Sequence, residues 1–221
     1  MNYIQIAIDG PAGAGKSTIA KLIAKQFNYI YIDSGAMYRA ITLKAINLGI
    51  DLEDESMYNF VEDTEFNFVN GTLFMDGYDV SHNIRGNNVS NNVSLVSSYF
   101  FVREELVMAQ QVLAKNHNVV MDGRDIGYNV LPDAKYKFYL TASIKKRALR
   151  RNLDNFERNI ESNLKVIEKE IERRDFLDTT RKYSPLKAAD DAVIIDTSDL
   201  TIDQVVKLIT DKIMEDEKNG F

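Results

Sequence analysis

The sequence predicts a doubly wound α/β fold with a five-stranded parallel sheet, and three observations support this. Five short β-branched runs recur along the 221 residues, and segments with helical spacing separate them. The runs show little polar alternation, which is typical of strands buried on both faces of a parallel sheet. No repeat and no low-complexity linker divides the chain. We therefore expect one domain, residues 1–221, with helices on both sheet faces.

The predicted strands and helices alternate along the chain. The five strands are expected at residues 3–8, 29–32, 118–121, 136–141 and 192–195. Apolar residues recur at helical spacing over residues 17–27, 100–115 and 202–214, which we predict as helices. In the first of these, the apolar positions are Ile19, Ala20, Ile23 and Phe27.

One stretch, residues 65–80, departs from this alternation. It contains Asn70-Gly71 between two apolar runs, and Asn-Gly in this context is the strongest short signal for a β-hairpin. We predict a small antiparallel insertion here. Further on, residues 145–158 are dense in basic side chains and include Arg147, Arg150, Arg151 and Arg158. This segment is either a solvated helix face or a phosphate clamp, and we predict a short helical lid at about residues 147–165.

Composition narrows the class of protein. The chain has 33 acidic and 27 basic residues, mixed along its length, for a net charge of −6. We therefore expect neither nucleic acid nor an anionic membrane as the main partner. There are no cysteines, and His82 and His117 are the only histidines, which argues against a zinc site. Nothing near Met1 resembles a targeting segment, so we expect a cytoplasmic protein.

A glycine-rich segment follows the first predicted strand and begins the first predicted helix. It fits the phosphate-binding loop (P-loop) pattern of glycine, four residues, then Gly-Lys-Ser/Thr. Backbone amides and the helix N-terminus would bind the β-phosphate of ATP. Lys16 is expected to bridge the β- and γ-phosphates, and the Ser17 hydroxyl to coordinate Mg²⁺. The predicted ATP-binding residues of this P-loop NTPase fold are Gly10, Pro11, Ala12, Gly13, Ala14, Gly15, Lys16, Ser17 and Thr18.

The third long strand ends in an acidic residue, Asp122. An acid that follows a hydrophobic strand beside a P-loop is typical of a second carboxylate on the magnesium side. Asp122 is expected to hold a metal-bound water or the Ser17 hydroxyl. The alternative is an ordinary acid at the end of a strand.

Three further motifs concern the acceptor. Residues 33–39 read Asp-Ser-Gly-Ala-Met-Tyr-Arg, residues 122–127 read Asp-Gly-Arg-Asp-Ile-Gly, and residues 173–175 read Arg-Arg-Asp, followed by Asp178, Arg181 and Ser184-Pro185-Leu186. With the P-loop, these motifs resemble bacterial cytidylate kinases, which are nucleoside monophosphate kinases. The resemblance covers essentially the whole chain, and the insertion lies in the family's monophosphate-binding region, here about residues 36–98. Tyr128-Asn129 is a departure, because the family usually continues Ile-Gly-Thr.

The resemblance implies ATP-dependent phosphorylation of CMP and dCMP, with Mg²⁺ accompanying ATP. Asp125 and Ser94 match family positions that accept a hydrogen bond from cytosine N4, and Arg103 matches one that donates to N3 and O2. Without the resemblance, Arg103 reads as a solvent-facing helix residue. A pocket of hydrogen-bonding groups can reject the wrong base strongly, so preference over UMP is expected.

The resemblance also implies which residues bind the phosphate and the ribose of the acceptor. Arg39 and Arg124 match phosphate-binding positions, and planar guanidinium groups suit this task. Arg181 matches a position on the ribose and phosphate side. The remaining matches are Arg174 and Asp178, at the ribose, and Ser34, which contacts the nucleotide. The alternative for these side chains is surface salt bridges.

In-line phosphoryl transfer needs neutralised charge and aligned oxygens rather than a protein nucleophile. We predict Lys16, Arg124 and Arg151 as catalytic residues. Arg147 matches a family position near the adenine and is predicted to bind ATP. The remaining alternatives are a kinase for UMP, AMP or shikimate, and a nucleotide-binding switch that hydrolyses ATP slowly. Nothing in the sequence demands a dimer, so we expect a monomer.

Overall fold

The computed structural model describes residues 3–69, 71–157 and 160–218. Within them the chain forms eight strands. These are Gln5–Asp9 (β1), Ile30–Asp33 (β2), Phe66–Val69 (β3), Thr72–Met75 (β4), Tyr78–Asp79 (β5), Val119–Gly123 (β6), Tyr136–Thr141 (β7) and Val193–Asp196 (β8).

In the same described ranges, seven α-helices connect or flank these strands. They are Lys16–Phe27 (α1), Ser34–Leu48 (α2), Asn87–Val96 (α3), Phe100–Ala114 (α4), Ile144–Glu157 (α5), Leu164–Thr180 (α6) and Ile202–Lys218 (α7). Short 3-10 turns cover Glu55–Val61 and Asn83–Arg85, and a single π-turn covers Ile126–Val130. Among the described helices, none combines the length and apolar character needed to cross a bilayer.

Five strands form one parallel sheet in the order β2-β6-β1-β7-β8. All five correspond to predicted strands, and the doubly wound parallel sheet is confirmed. The central strand β1 pairs with β6 on one side and β7 on the other. Parallel pairing brings the carboxyl ends of β1, β2 and β6 to one edge, where ligands bind in folds of this class.

Side chains of the central strands alternate between two buried layers. Ile6 and Ile8 of β1 pack with Ile23 of α1 and Ile209 of α7. The intervening Ala7 points into the opposite layer, which includes residues of β6 and Ala114 of α4. These side chains are fully or almost fully buried. The absence of polar alternation in the sequence follows from this burial on both faces.

The predicted antiparallel insertion is confirmed as a separate three-stranded sheet in the order β3-β4-β5. Phe66 pairs with Met75 and Val69 with Thr72, so the turn falls at the predicted position. Asn70 lies outside the described residues, whereas Gly71 has a φ of +78°, which glycine adopts readily.

The segment predicted as a lid spans most of α5 and the start of α6. Ala148 of α5 packs against Ile167 and Ile171 of α6 in a small cluster of their own. Arg158, one of the predicted basic residues, lies outside the described residues. The lid and the monophosphate-binding region, about residues 36–98, stay predictions as functional divisions of the chain.

Candidate active site

The loop between β1 and α1 owes its shape to glycine. Gly10, Gly13 and Gly15 have φ values of +144°, +78° and +91°, which side chains disfavour. At Gly10, an added Cβ would lie 2.0 Å from the Leu140 carbonyl oxygen of β7, so the loop passes too close to the sheet for any larger residue. The helix that follows begins at Lys16, and its first amides have no partner within the helix. The loop can therefore bind an anion.

Lys16 is buried beside this loop. Its Nζ donates to the Pro11 carbonyl at 2.9 Å. Burial, together with the nearby positive charge of Arg124, lowers the pKa of Lys16 to about 7. A bound phosphate would favour the charged ammonium group, so the site is poised for an anionic ligand.

Ser17 and Asp122 meet where α1 begins and β6 ends. The Ser17 hydroxyl donates to Oδ2 of Asp122 at 2.8 Å, and the Tyr31 hydroxyl donates to Oδ1 at 2.7 Å. Burial and the negative charge of Asp33 raise the pKa of Asp122 to about 6. A cation beside this carboxylate would relieve both effects, and these oxygen ligands suit Mg²⁺.

The protein alone offers few further ligands for a metal ion. Within the described residues, no group of three or more His, Cys, Asp or Glu side chains could hold one. Mg²⁺ typically binds through one or two protein ligands, with substrate phosphates and water completing its shell. Ser17 and Asp122 fit that pattern.

The start of α2 brings two substrate candidates to the same edge. Asp33 caps the helix by accepting the Ala36 amide at 2.8 Å and also accepts from Nη2 of Arg39 at 3.1 Å. The Ser34 hydroxyl donates to the Asp122 carbonyl at 2.7 Å. Gly123 is required beside it, because an added Cβ there would lie 2.5 Å from the Ser34 Oγ.

Arg103 and Asp125 form a buried ion pair at the far end of the site. Nη2 of Arg103 donates to Oδ2 of Asp125 at 2.5 Å, and Nη1 donates to the Ser97 carbonyl at 3.2 Å. The expectation that Arg103 reads as solvent-facing from residue type alone is wrong, since it is 3% exposed. Ser94 of α3 is also buried and lines the same cleft. A donor and acceptors thus lie side by side.

A second pair links Arg124 with Asp178 of α6. Nε of Arg124 donates to Oδ2 of Asp178 at 2.9 Å. Burial alone would raise the pKa of Asp178, but the charge and hydrogen bond of Arg124 lower it below its ordinary value. Arg174 is half-buried nearby, and burial followed by the charge of Arg124 lowers its pKa to about 10. Its Nε has no hydrogen-bond partner in the described structure.

Arg181 lies between these two pairs. Its Nε and Nη2 donate to the Ser184 carbonyl at 2.8 and 2.5 Å, and Nη2 lies 3.5 Å from Oδ1 of Asp125. Burial, and then the charge of Arg103, lower the pKa of Arg181. An additional anion would therefore stabilise this crowded set of cations.

The basic segment of α5 divides between two environments. Arg151 is exposed and lines the cleft. Arg147 is buried, donating to the Ala12 carbonyl at 3.1 Å and to Oδ2 of Asp175 at 2.6 Å. Arg150 donates to the Thr197 hydroxyl at 3.0 Å and also lines the cleft. Arg147 therefore contacts the P-loop at the Ala12 carbonyl without lining the cleft.

A single cleft joins these groups. It has a volume of about 1290 Å³, above the usual range for one small ligand, and its lysines and arginines outnumber its acids. The predicted site residues that line it are Ala12, Gly13, Ala14, Gly15, Lys16, Ser17, Thr18, Ser34, Arg39, Ser94, Arg103, Asp122, Arg124, Asp125, Arg151, Arg174, Asp178 and Arg181. Gly10, Pro11 and Arg147 lie behind the described lining.

Sequence reasoning missed two buried residues, Asp9 and Tyr31, which hydrogen-bond to other residues of the site but do not line the cleft. Asp9, at the end of β1, accepts the amides of Ile126 and Gly127 at 2.8 and 2.7 Å. Burial is the main reason its pKa rises to about 7. The only sequence signal for Asp9 was its position before the P-loop. For Tyr31 there was none, because a tyrosine in a strand is ordinary.

A parallel sheet whose first strand leads into a phosphate loop, facing a basic cleft large enough for two nucleotides, is the arrangement of a P-loop kinase. Comparison with known proteins narrows that class. The family model described as cytidylate kinase matches residues 6–215. The chain belongs to the cytidylate kinase family, a group of nucleoside monophosphate kinases.

Two cytidylate kinases are similar in sequence to this chain over nearly its whole length. A cytidylate kinase from Bacillus cereus is 49% identical over 211 residues, covering 93% of this chain and 94% of the relative. One from Ligilactobacillus salivarius is 50% identical over 217 residues, covering 96% and 97%. The solved structure of an uncharacterized protein from Eubacterium ventriosum has a TM-score of 0.51 at 12% identity, covering 95% of this chain and 98% of that chain; this likeness shows a shared fold alone.

Proposed function

We propose that this protein transfers the γ-phosphoryl group of ATP to CMP and dCMP, forming ADP with CDP or dCDP. The observation that carries the proposal is the buried pair of Arg103 and Asp125 in the same cleft as the P-loop. A phosphate loop supports a nucleotide donor of many kinds. The Arg103 and Asp125 pair supports a cytosine-bearing acceptor, in agreement with family membership.

Cytosine presents an amino donor at N4 beside acceptors at N3 and O2. Asp125 and Ser94 can accept from N4, and Arg103 can donate to N3 and O2. Uracil would direct a carbonyl oxygen at the Asp125 carboxylate instead. Such a mismatch leaves buried polar groups unpaired and can cost up to roughly 10⁴-fold in specificity, which supports a preference for CMP over UMP.

The acceptor phosphate would bind between Arg39 and Arg124. Both guanidinium groups are already oriented by acids, Arg39 by Asp33 and Arg124 by Asp178. Orientation before binding lowers the entropy cost of holding the phosphate. Arg181 and Arg174 lie on the ribose side. Asp178 and Ser34 are the remaining candidates for contacts with the nucleotide.

In the transfer, an oxygen of the CMP phosphate attacks the γ-phosphorus, and the bond from that phosphorus to the bridging oxygen of ADP breaks. Lys16 exchanges the Pro11 carbonyl for the β- and γ-phosphates. Arg124 holds the attacking oxygen in line, and Arg151 approaches the transferring group from α5. Ser17 and Asp122 would hold Mg²⁺, whose charge would neutralise phosphate charge. No protein nucleophile takes part.

Water would compete with CMP as the acceptor, so the chemistry needs a closed site. The exposed position of Arg151 supports closure of the segment at about residues 147–165 over both nucleotides. We further propose a cytoplasmic monomer that acts on free nucleotides and binds neither nucleic acid nor membrane.

A coupled assay of ADP formation tests the function. The protein is incubated with ATP and Mg²⁺, and then with CMP, dCMP, UMP, AMP or no acceptor. We expect rapid ADP formation with CMP and dCMP, slower formation with UMP, and little without an acceptor. Equal ADP formation in all tubes would instead indicate a hydrolytic switch, and a preference for AMP or UMP would move the assignment to another acceptor.

A further inference from the structure

Tyr128 and Asn129, which follow the Asp-Gly-Arg-Asp-Ile-Gly motif, each contact a part of the acceptor site. Tyr128 donates its hydroxyl to the Pro185 carbonyl. Asn129 donates from Nδ2 to Oδ2 of Asp125 at 2.8 Å. Neither is among the described residues that line the cleft, so both act through other residues.

Local backbone geometry brings Asn129 to Asp125. The π-turn over Ile126–Val130 follows Asp125 directly, and the Asn129 amide donates to the Asp125 carbonyl at 3.0 Å. Residues four apart in such a turn lie on the same side. The side chains of Asn129 and Asp125 therefore meet on the same side of the turn as the backbone hydrogen bond between these residues.

The hydrogen bonds to Asp125 are distributed unevenly between its two oxygens. Oδ2 accepts from Arg103 at 2.5 Å and from Asn129 at 2.8 Å. Within the described ranges, Oδ1 has only the long 3.5 Å contact with Arg181. An ionised carboxylate has about four acceptor positions. The two short bonds occupy Oδ2 and leave Oδ1 available to a ligand.

We propose that Asn129 is a positioning residue for base selectivity in this protein: it holds Oδ2 of Asp125 together with Arg103, so that Oδ1 faces the N4 amino group of the acceptor base. The proposal rests on the proposed function. Rotation of the carboxylate about its bond to Cβ moves Oδ2 away from Arg103 and Asn129, and Oδ1 away from Arg181. Asn129 therefore adds a second short hydrogen bond that resists this rotation.

The direction of the effect on selectivity follows from the charges. With Oδ1 fixed, CMP gains a charge-assisted hydrogen bond, and UMP meets repulsion between its O4 and the carboxylate. Without Asn129, Asp125 turns more freely. The hydrogen bond between Asp125 and CMP then becomes weaker, and so does the repulsion between Asp125 and O4 of UMP. Both changes lower the CMP/UMP ratio of kcat/KM.

The test uses Asn129→Leu, which keeps the size of the side chain and removes the donor. We expect the CMP/UMP ratio of kcat/KM to fall about tenfold, the scale of one hydrogen bond to a charged group. Asn129→Gln keeps an amide donor and is expected to restore the ratio to within about threefold of the unmodified protein. A purely structural role for Asn129 would not predict this rescue.

Asn92→Leu is the matched control. Asn92 also donates to a residue four positions earlier, from Nδ2 to the Asn88 carbonyl at 2.8 Å, but this hydrogen bond is exposed and does not involve Asp125. We expect its CMP/UMP ratio to be unchanged. Should Asn129→Leu fail to fold, Asn129→Ala replaces it, since it also lacks the donor and adds no charge beside Asp125, and its ratio is expected to fall about as far.

The outcomes separate the two claims. If the unmodified protein forms no ADP in response to CMP, the proposed function is overturned, and the role of Asn129 with it. If the unmodified protein prefers CMP and the folded variant lacking the donor keeps the same ratio, only the role of Asn129 is overturned.

Discussion

Nη2 of Arg103 lies 2.5 Å from Oδ2 of Asp125, and the two side chains are only 4% and 5% exposed. Arg103 belongs to α4, whereas Asp125 follows β6, so the pair joins a helix to the carboxyl edge of the sheet. Burying two charges costs desolvation energy, and removing one leaves the other uncompensated. We therefore expect this pair to affect stability and, under the proposed function, base recognition.

Replacing Arg103 with methionine should affect stability and selectivity together. We expect Arg103→Met to lower the free energy of unfolding by about 3 kcal/mol, because Asp125 loses its closest cation. We expect the CMP/UMP ratio of kcat/KM to fall by a larger factor than the affinity for the acceptor phosphate. Chemical denaturation and steady-state kinetics measure the two effects. The double variant Arg103→Met/Asp125→Leu is the control and should regain stability without selectivity; an unchanged ratio in Arg103→Met would contradict the base pocket.

Lys16→Ala should separate binding from chemistry. Turnover is expected to fall by at least about 100-fold, because the variant lacks the cation that we propose stabilises the transferring phosphoryl group. CMP should still bind, since its candidate residues lie on α2, α4 and α6 and around Asp125. Steady-state kinetics and calorimetric titration with CMP provide the measurement. Turnover near that of the unmodified protein would reject the assignment of the donor site.

Asp9 should make stability depend on pH. Its pKa rises from 3.8 to about 7 on folding, so between these values the folded state binds more protons than the unfolded state. The contribution of Asp9 is thus fully present below about pH 4 and is lost as the pH rises through 7, with a slope of at most about 1.4 kcal/mol per pH unit. Urea denaturation of the unmodified protein and Asp9→Asn across this range checks it. Equal slopes in the two proteins would contradict the prediction.

Tyr128→Phe should weaken acceptor binding without altering the choice of base. The Tyr128 hydroxyl donates to the Pro185 carbonyl, next to Ser184, whose φ of +45° is strained for a residue with a side chain. The Ser184 carbonyl holds Arg181. We expect KM to rise about threefold for CMP and UMP alike, the scale of one neutral hydrogen bond. A change in the CMP/UMP ratio would contradict this division between Tyr128 and Asn129.

Much of the fold was predictable because its signals are local. Burial on both faces removes polar alternation from the strands, and Asn70-Gly71 marks a hairpin between apolar runs. The P-loop was predictable for the same reason, since its glycines, Lys16 and Ser17 are adjacent in sequence. The sequence-based roles of the acceptor residues came from resemblance, and those roles stay predictions.

The sequence by itself determined the parallel sheet and the phosphate loop, because short-range patterns of polarity and backbone requirement specify them, and the resemblance of its motifs to cytidylate kinases indicated the family. Only the tertiary structure decided that Arg147 supports the P-loop from behind, that Tyr31 holds Asp122, and that Asn129 occupies one oxygen of Asp125. Arg147 and Tyr31 contact residues far away in sequence. The role of Asn129 depends on Arg103, 22 positions from Asp125, and no local pattern specifies such convergence.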